Sequence, residues 1–479
     1  MIINQDGKWN PEDSAQLQSG QRILITGGRA PVALELARLL HRAGHTVYVA
    51  ESLDYYLCRS SNVVEGSAVL PAPRPHTQAF LAELERLVIQ WRIDLLIPTC
   101  EEIFYVAQGL KQLRPFCRVL CPELAVLHRL HHKAEFIHWA AELGFQVPAT
   151  ALLEDEAAWR DVEEQGIGAK ARNRVGSVNT PASSLPVDPV MDLMDLSQSA
   201  SLMSLPLVFK PVYSRFASRV ILPERKGQNQ YDERSLWTGK QQDTRLGQVR
   251  RLSKKAARYR AEAIRELSPS RPWVAQEFIA GQAWCSYSIV HEGKLIAHAA
   301  YACHYRTGQS GACVHFQQAE QPAVLDWVKR FTAKIGYTGQ ISFDFILAEN
   351  GTLYPIECNP RATSGVHLFE VADGLAEALT QSDIVALSGR VVMPRAGSAA
   401  MIQLAMLGSG FKHVRGVRTW RRWMGALRGA RDVIRRPEDP GPFTEQLRMM
   451  YAIWQRSRRL GITVTQALTE DIEWNGDSK

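Results

Sequence analysis

Residues 341–361 read ISFDFILAENGTLYPIECNPR, two alternating apolar runs joined by Asn350-Gly351. Asn-Gly between such runs signals a hairpin, because both residues tolerate the positive φ of a tight turn. A hairpin centred there sets Asp344 opposite Glu357. Side chains alternate along a strand, so Glu357, Asn359 and Arg361 share one face, while Cys358 points to the other as a small apolar group. Two directly opposed carboxylates repel unless a cation stands between them. Carboxylates and an amide are hard oxygen donors, suited to Mg²⁺ or Mn²⁺ bridging phosphate oxygens. Arg361 extends that face with a group able to contact a phosphoryl bidentately. A merely solvated strand face explains one acid more readily than three such ligands and an arginine.

Working outward, the hairpin closes a β-rich block that includes LPLVFKPV (205–212), WVAQEFIAG (273–281) and KLIAHAAYACHYR (294–306). Before it lies a Ser/Pro/Asp-rich stretch, Val178 to Ser204, which reads as a loop or insertion. The N-terminal part reads differently. RILITG (22–27) is a β-branched run ending in Gly27-Gly28; Pro31 then opens an apolar-periodic helix, and HTVYVAES follows Gly44. Such β-α-β alternation implies a doubly wound parallel sheet over 20–125. Its first turn, GGRAPVA, lacks the G-x-G-x-x-G spacing of a dinucleotide site, and Glu51 alone, at the ribose-binding position, is weak support for one.

The chain has 479 residues with a formal net charge of +7, ordinary globular composition, and a length suited to about three domains. The expected division is 1–125, 126–395 and a basic, mainly helical 396–479. Charge is concentrated: Lys412–Arg459 holds 13 Lys and Arg against 4 Asp and Glu. The eight cysteines form no C-x-x-C pair, which argues against structural zinc. With no long apolar span and no secretory pattern in MIINQDGKWNPEDSAQ, a cytoplasmic protein with reduced thiols is expected.

The hairpin segment resembles the metal-binding hairpin of the ATP-grasp ligases, an acid followed about a dozen residues on by Glu-x-Asn, and other segments fall in the family's order. HHKAEFIHWAAELGFQVPAT (131–150) is similar to the stretch with the first nucleotide lysine, pointing to Lys133. LVFKPV (207–212) is similar to the strand with the second, Lys210. WVAQEFIAG resembles the strand that meets adenine, placing Gln276 near the exocyclic amine, Glu277 and Ile279 as main-chain partners, and Phe278 beside them. DLLIPTCEEIFYVA (94–107) is similar to part of the domain that precedes the ATP-grasp domain in such ligases. The resemblance covers roughly 20–395. It implies a pre-ATP-grasp α/β domain, an α+β ATP-grasp domain, and use of ATP with Mg²⁺ or Mn²⁺ held by Asp344, Glu357 and Asn359. The implied reaction activates a small carboxylic acid or amino acid as an acyl phosphate and couples it to an amine. Arg361 and Arg306 are the candidates for clamping the substrate carboxylate.

Two departures stand out. YSRFASRVI (213–221) has no glycine where the family has a glycine-rich phosphate loop, leaving Ser214 and Ser218, with Arg215, as substitute donors. GQAWCSYS (281–288) carries Ala283 where a ribose-binding acid is usual. A protein with another acceptor, or a nucleotide-sensing protein without turnover, therefore stays open. His315 and His367 read as structural, and a catalytic role for Cys303, Cys313 or Cys358 is not expected. The basic tail, with Trp420 and Trp423, reads as a solvated face rather than an RNA or membrane binder, so small molecules are the expected partners, with no nucleic acid and no membrane. A homodimer suits an enzyme of this size.

Overall fold

The RILIT run forms β1 (Arg22–Thr26), whose Ile23, Leu24 and Ile25 are wholly buried, as a central parallel strand requires. Pro31 opens the helix Pro31–Arg42, and Gly44, at φ +89°, turns the chain into β2 (Thr46–Glu51). β3 (Val64–Val69), β4 (Leu95–Ile97) and β5 (Arg118–Val119) complete an all-parallel sheet in the order β3-β2-β1-β4-β5. This is the doubly wound sheet expected. The computed structural model describes residues 20–167, 206–213, 219–223, 254–307 and 311–476.

The chain divides into two compact units. Among the described residues, the first joins 20–121 to 370–388 and 434–473; the second holds those of 122–369, 389–433 and 474–476. The expected separate region 396–479 is thus shared out, and buried ion pairs within the first unit give the reason. Arg38 Nε donates to Asp439 Oδ2 at 2.9 Å, and its Nη2 to the Ile434 carbonyl at 2.9 Å. Arg29 grips Asp471 through both Nη atoms, at 2.7 and 2.6 Å. Arg29 also donates from its backbone and from Nε to Glu51, at 2.8 and 3.0 Å. Glu51 is therefore a buried ion-pair partner in this unit.

In the second unit, β6 (Thr150–Leu153) and β7 (Leu207–Pro211) flank β8 (Trp273–Glu277), all antiparallel. A four-stranded antiparallel sheet follows, from β9 (Gly281–His291), β10 (Lys294–Ala302), β12 (Gly339–Ala348) and β13 (Leu353–Asn359), in the order β10-β9-β12-β13. β11 (His315–Gln317), β14 (Ala399–Met401) and β15 (Arg431–Asp432) form a small third sheet in the order β11-β14-β15. Phe343 and Phe345 of β12 pack edge-on against Trp327 of the helix Pro322–Ile335, with ring centroids 5.1 and 5.0 Å apart, and Trp327 stacks on Phe331 at 4.8 Å. Aromatic burial on one face fixes the register, because a one-residue slip would expose every ring. Asp344, between the two phenylalanines, is thereby turned to the opposite face.

Candidate active site

Asp344 pairs with Glu357 across β12 and β13, as the sequence predicts, but by a different route. The turn is centred on Asn350, whose Oδ1 accepts from the Thr352 amide at 3.0 Å, and Ala348 and Thr352 close it with a 2.9 Å backbone bond. From that turn Phe345 pairs with Pro355, and a bulge then adds Ile356 before Glu357. The extra residue restores the Asp344–Glu357 pairing and frees the Ile356 carbonyl from the ladder. Lys210 Nζ donates to that carbonyl at 3.2 Å. Cys358, 3% exposed, lies in the aromatic core as expected.

Both predicted lysines converge on the acids. His132 caps the helix Lys133–Glu142, its Nδ1 accepting from the Glu135 amide at 3.2 Å. Burial pushes the His132 imidazole down to about 4, which keeps that nitrogen an acceptor. Lys133 therefore leaves the first helical turn. Its Nζ donates to the Val212 carbonyl at 3.1 Å and lies 3.6 Å from Glu357 Oε2. Lys210 is 5% exposed, and its Nζ also donates to Gln276 Oε1 at 2.9 Å. Burial lowers its ammonium to about 8, against the pull of Glu357.

The two carboxylates are driven apart. Burial and the neighbouring Glu357 charge raise Asp344, with Arg306 pulling the other way. Burial would raise Glu357 too, but Lys133 and Lys210 hold it well below the usual range. A cation between the acids would relieve this conflict. Among the described residues no three His, Cys, Asp or Glu side chains form a metal cluster; the hard oxygens on this strand pair are the two carboxylates and the Asn359 amide. Those hard oxygens on one strand pair fit Mg²⁺ better than a soft metal.

The remaining predicted residues divide. Gln276 is buried, its Nε2 donating to Thr150 Oγ1 at 3.0 Å, so its amide bridges β6 and Lys210. The Glu277 amide donates to the Ala149 carbonyl at 2.8 Å, and its Oε2 accepts from the Ala149 amide at 3.1 Å. That main-chain donor is used by the sheet. The Phe278 amide donates to Pro206 at 2.8 Å, and Ile279 lies past the end of β8. Arg361 Nη2 donates to Asn359 Oδ1 at 3.1 Å and Nη1 to the Ala362 carbonyl at 3.2 Å, orienting both side chains on the acid face. Arg306 bridges to Cys313 and acts electrostatically on Asp344. Ser214 and Ser218 lie outside the described residues. His315 and His367 pack against Tyr305 and Phe316, with centroids 5.7 Å apart in each case.

Three neighbours escaped the sequence reading. Cys285 pairs with Asp344 from β9, a register set only by the strand order. Thr150 holds Gln276. Tyr213 packs edge-on against His132, centroids 5.4 Å apart, and shares a 2.7 Å hydrogen bond with His128 Nε2. Tyr213 had a signal, three residues after Lys210 in LVFKPVY, but its partners lie some 80 residues upstream.

No curated protein matches the chain by sequence. Solved structures resemble it at low identity. L-amino acid ligase from Bacillus licheniformis is 14% identical, with 78% of each chain covered and a TM-score of 0.49. N5-carboxyaminoimidazole synthetase from Staphylococcus aureus, complexed with ADP, is 14% identical, with 75% of this chain and 77% of that one covered and a TM-score of 0.48. Biotin carboxylase from Campylobacter jejuni is 15% identical, covering 79% and 72%, at 0.46. Residues 247–365, which include β8 to β13 and both acids, match the family model described as an ATP-grasp domain. The chain carries an ATP-grasp domain.

Proposed function

We propose that the chain is an ATP- and Mg²⁺-dependent ligase that activates a small carboxylic acid or amino acid as an acyl phosphate and couples it to an amine, releasing ADP and phosphate. The observation that carries this reading is the convergence of Lys133 and Lys210 on the opposed pair Asp344 and Glu357. Asp344, Glu357 and Asn359 would hold Mg²⁺ (Mn²⁺ offers similar chemistry), which supplies charge neutralisation at the phosphate oxygens. Lys133 and Lys210 are placed to bind phosphate as point charges, and burial strengthens that attraction. Gln276, Phe278 and Ile279 line the route proposed for adenine, with Glu277 bracing the strand beside them. Ser214 and Ser218 belong to the proposal as further phosphate donors. Arg361 and Arg306 are the proposed clamp on the substrate carboxylate, where two fixed cations raise the share of substrate held ready for attack. The amine then attacks the acyl carbon and phosphate leaves. Small-molecule substrates, a cytoplasmic setting and a homodimer complete the reading.

The test is nucleotide and phosphate release from ATP with Mg²⁺ against pools of amino acids and small carboxylic acids, each with and without amines. ADP and phosphate that appear only with particular acids support the ligase. AMP and pyrophosphate would replace acyl phosphate by adenylate chemistry. ATP binding without release in any pool favours the nucleotide-sensing alternative, which the glycine-free 213–221 segment and Ala283 recommend.

A further inference from the structure

From Gln403 to Arg431 the chain carries seven Lys and Arg and no acid. This stretch contains the helices Gln403–Gly408 and Val417–Gly429 in the second unit. Trp423 accounts for the inner face: it is 5% exposed and packs with Met401, Met406 and Tyr305. The outer face is another matter. Arg418, Arg421, Arg422 and Arg428 are exposed along it, with Lys412 and Arg415 on the segment before it. Among the described residues none of these six has an acidic partner.

A solvated face should stop there, yet large apolar groups stand among these cations. Val417 is 69% exposed, Phe411 52%, Leu407 46% and Trp420 43%. Phe411 and Trp420 stand together, centroids 6.4 Å apart, with the buried Trp423 behind them at 5.4 Å from Trp420. An apolar cluster in water is unfavourable unless something covers it, and unopposed positive charge defines what can. The cover must be anionic and apolar at once. A nucleic acid would use the cations and the rings but gains little from Leu407 and Val417, which offer no stacking surface. An anionic bilayer uses both: its headgroups meet the arginines, and its interfacial zone takes Trp420, Phe411 and the aliphatic groups.

We propose that this face is a docking surface for an anionic lipid bilayer, holding the protein on a membrane without crossing it. No described helix is long and apolar enough to cross a membrane, so such attachment would be peripheral and salt-sensitive.

The experiment is co-sedimentation of the full chain with vesicles of phosphatidylcholine alone or mixed with phosphatidylglycerol. Binding to the anionic vesicles, at least about tenfold stronger than to neutral ones and lost as salt rises from about 0.05 to about 0.5 M, is expected. Two exposed-site variants sharpen it, each checked for an unchanged melting temperature. Arg418→Glu with Arg421→Glu should lower binding by about a hundredfold or more, and Val417→Ser with Trp420→Ser by about tenfold. Equal binding to both vesicle types, or anionic binding untouched by both variants, would overturn the proposal. Binding to polyuridylate with none to vesicles would overturn it too, assigning the face to nucleic acid.

Discussion

In the first unit the Arg29 guanidinium lies between Glu51 and Asp471, with Ser52 Oγ within 2.7 Å of both Arg29 and Asp471. In the second, Asp344 faces Glu357; Lys133 lies 3.6 Å from Glu357 and donates to the Val212 carbonyl, Lys210 donates to the Ile356 carbonyl, and Arg306 acts on Asp344. Both units bury charge. The first sets a guanidinium between its two acids, whereas the second sets two carboxylates opposite each other. A closed set of partners contributes to a fold but has nothing left to offer a ligand. Two opposed carboxylates are a local cost, and a ligand that sits between them gains what the protein alone lacks. The contrast supports reading Arg29–Glu51–Asp471 as structural and Asp344–Glu357 as the site.

Substitution should separate the two regions. Glu357→Gln removes one carboxylate from the opposed pair, and ATP turnover should fall by roughly a hundredfold or more while the unfolding midpoint holds or rises. A large drop in stability would mean that this pair is structural after all. Asp471→Ala should do the reverse. It takes away the buried acceptor of both Arg29 Nη atoms and of Ser52 Oγ, so the first unit should lose about 3 kcal/mol in denaturant unfolding.

Acid titration sharpens the same contrast. Burial opposes ionisation of Asp471, but Arg29 and Ser52 hold its carboxyl at about 2, below the ~3.9 of an unfolded chain. A depressed folded value stabilises above the unfolded pKa and is lost as pH falls through the folded one. The contribution, on the order of 2–3 kcal/mol, should therefore be full above about pH 5 and vanish toward about pH 2. Asp471→Asn should flatten that limb of the stability curve, seen as a smaller shift in melting temperature between those pH values. The smallest effect belongs to Thr150→Val, which takes away the acceptor for Gln276 Nε2. A severalfold rise in KM for ATP with little change in kcat is expected, in line with about 1 kcal/mol for one hydrogen bond.

Much of this was legible in the chain itself, and the reasons are local. β1, its following helix and β2 could be read because Gly27, Pro31 and Gly44 punctuate a clear apolar period. The Asp344–Glu357 pairing could be read because strand alternation and a turn signal act over a few residues. The bulge at Ile356 was only hinted at, by Pro355, which cannot donate to the ladder; Lys210, the partner of the Ile356 carbonyl, comes from another sheet. The same holds for Cys285 beside Asp344 and for Arg29 with Asp471. Each depends on residues far apart in sequence, where periodicity carries no information. The division of 396–479 was illegible for a further reason. Basic helices look alike in sequence, and it takes buried pairs such as Arg38–Asp439, Arg29–Asp471 and Arg436–Glu35 to show where 434–473 belongs.

The central claim is that the opposed carboxylates of the second unit are completed by a metal–nucleotide ligand. Thermal melting of the wild type and of Glu357→Gln, each with and without Mg²⁺ and ATP, tests it most directly. When free, Glu357→Gln should melt at or above the wild-type temperature, because one of two opposed buried carboxylates is gone, and only the wild type should rise by several degrees with both Mg²⁺ and ATP present. An equal rise in both proteins, or none in either at saturating ATP, would contradict the account.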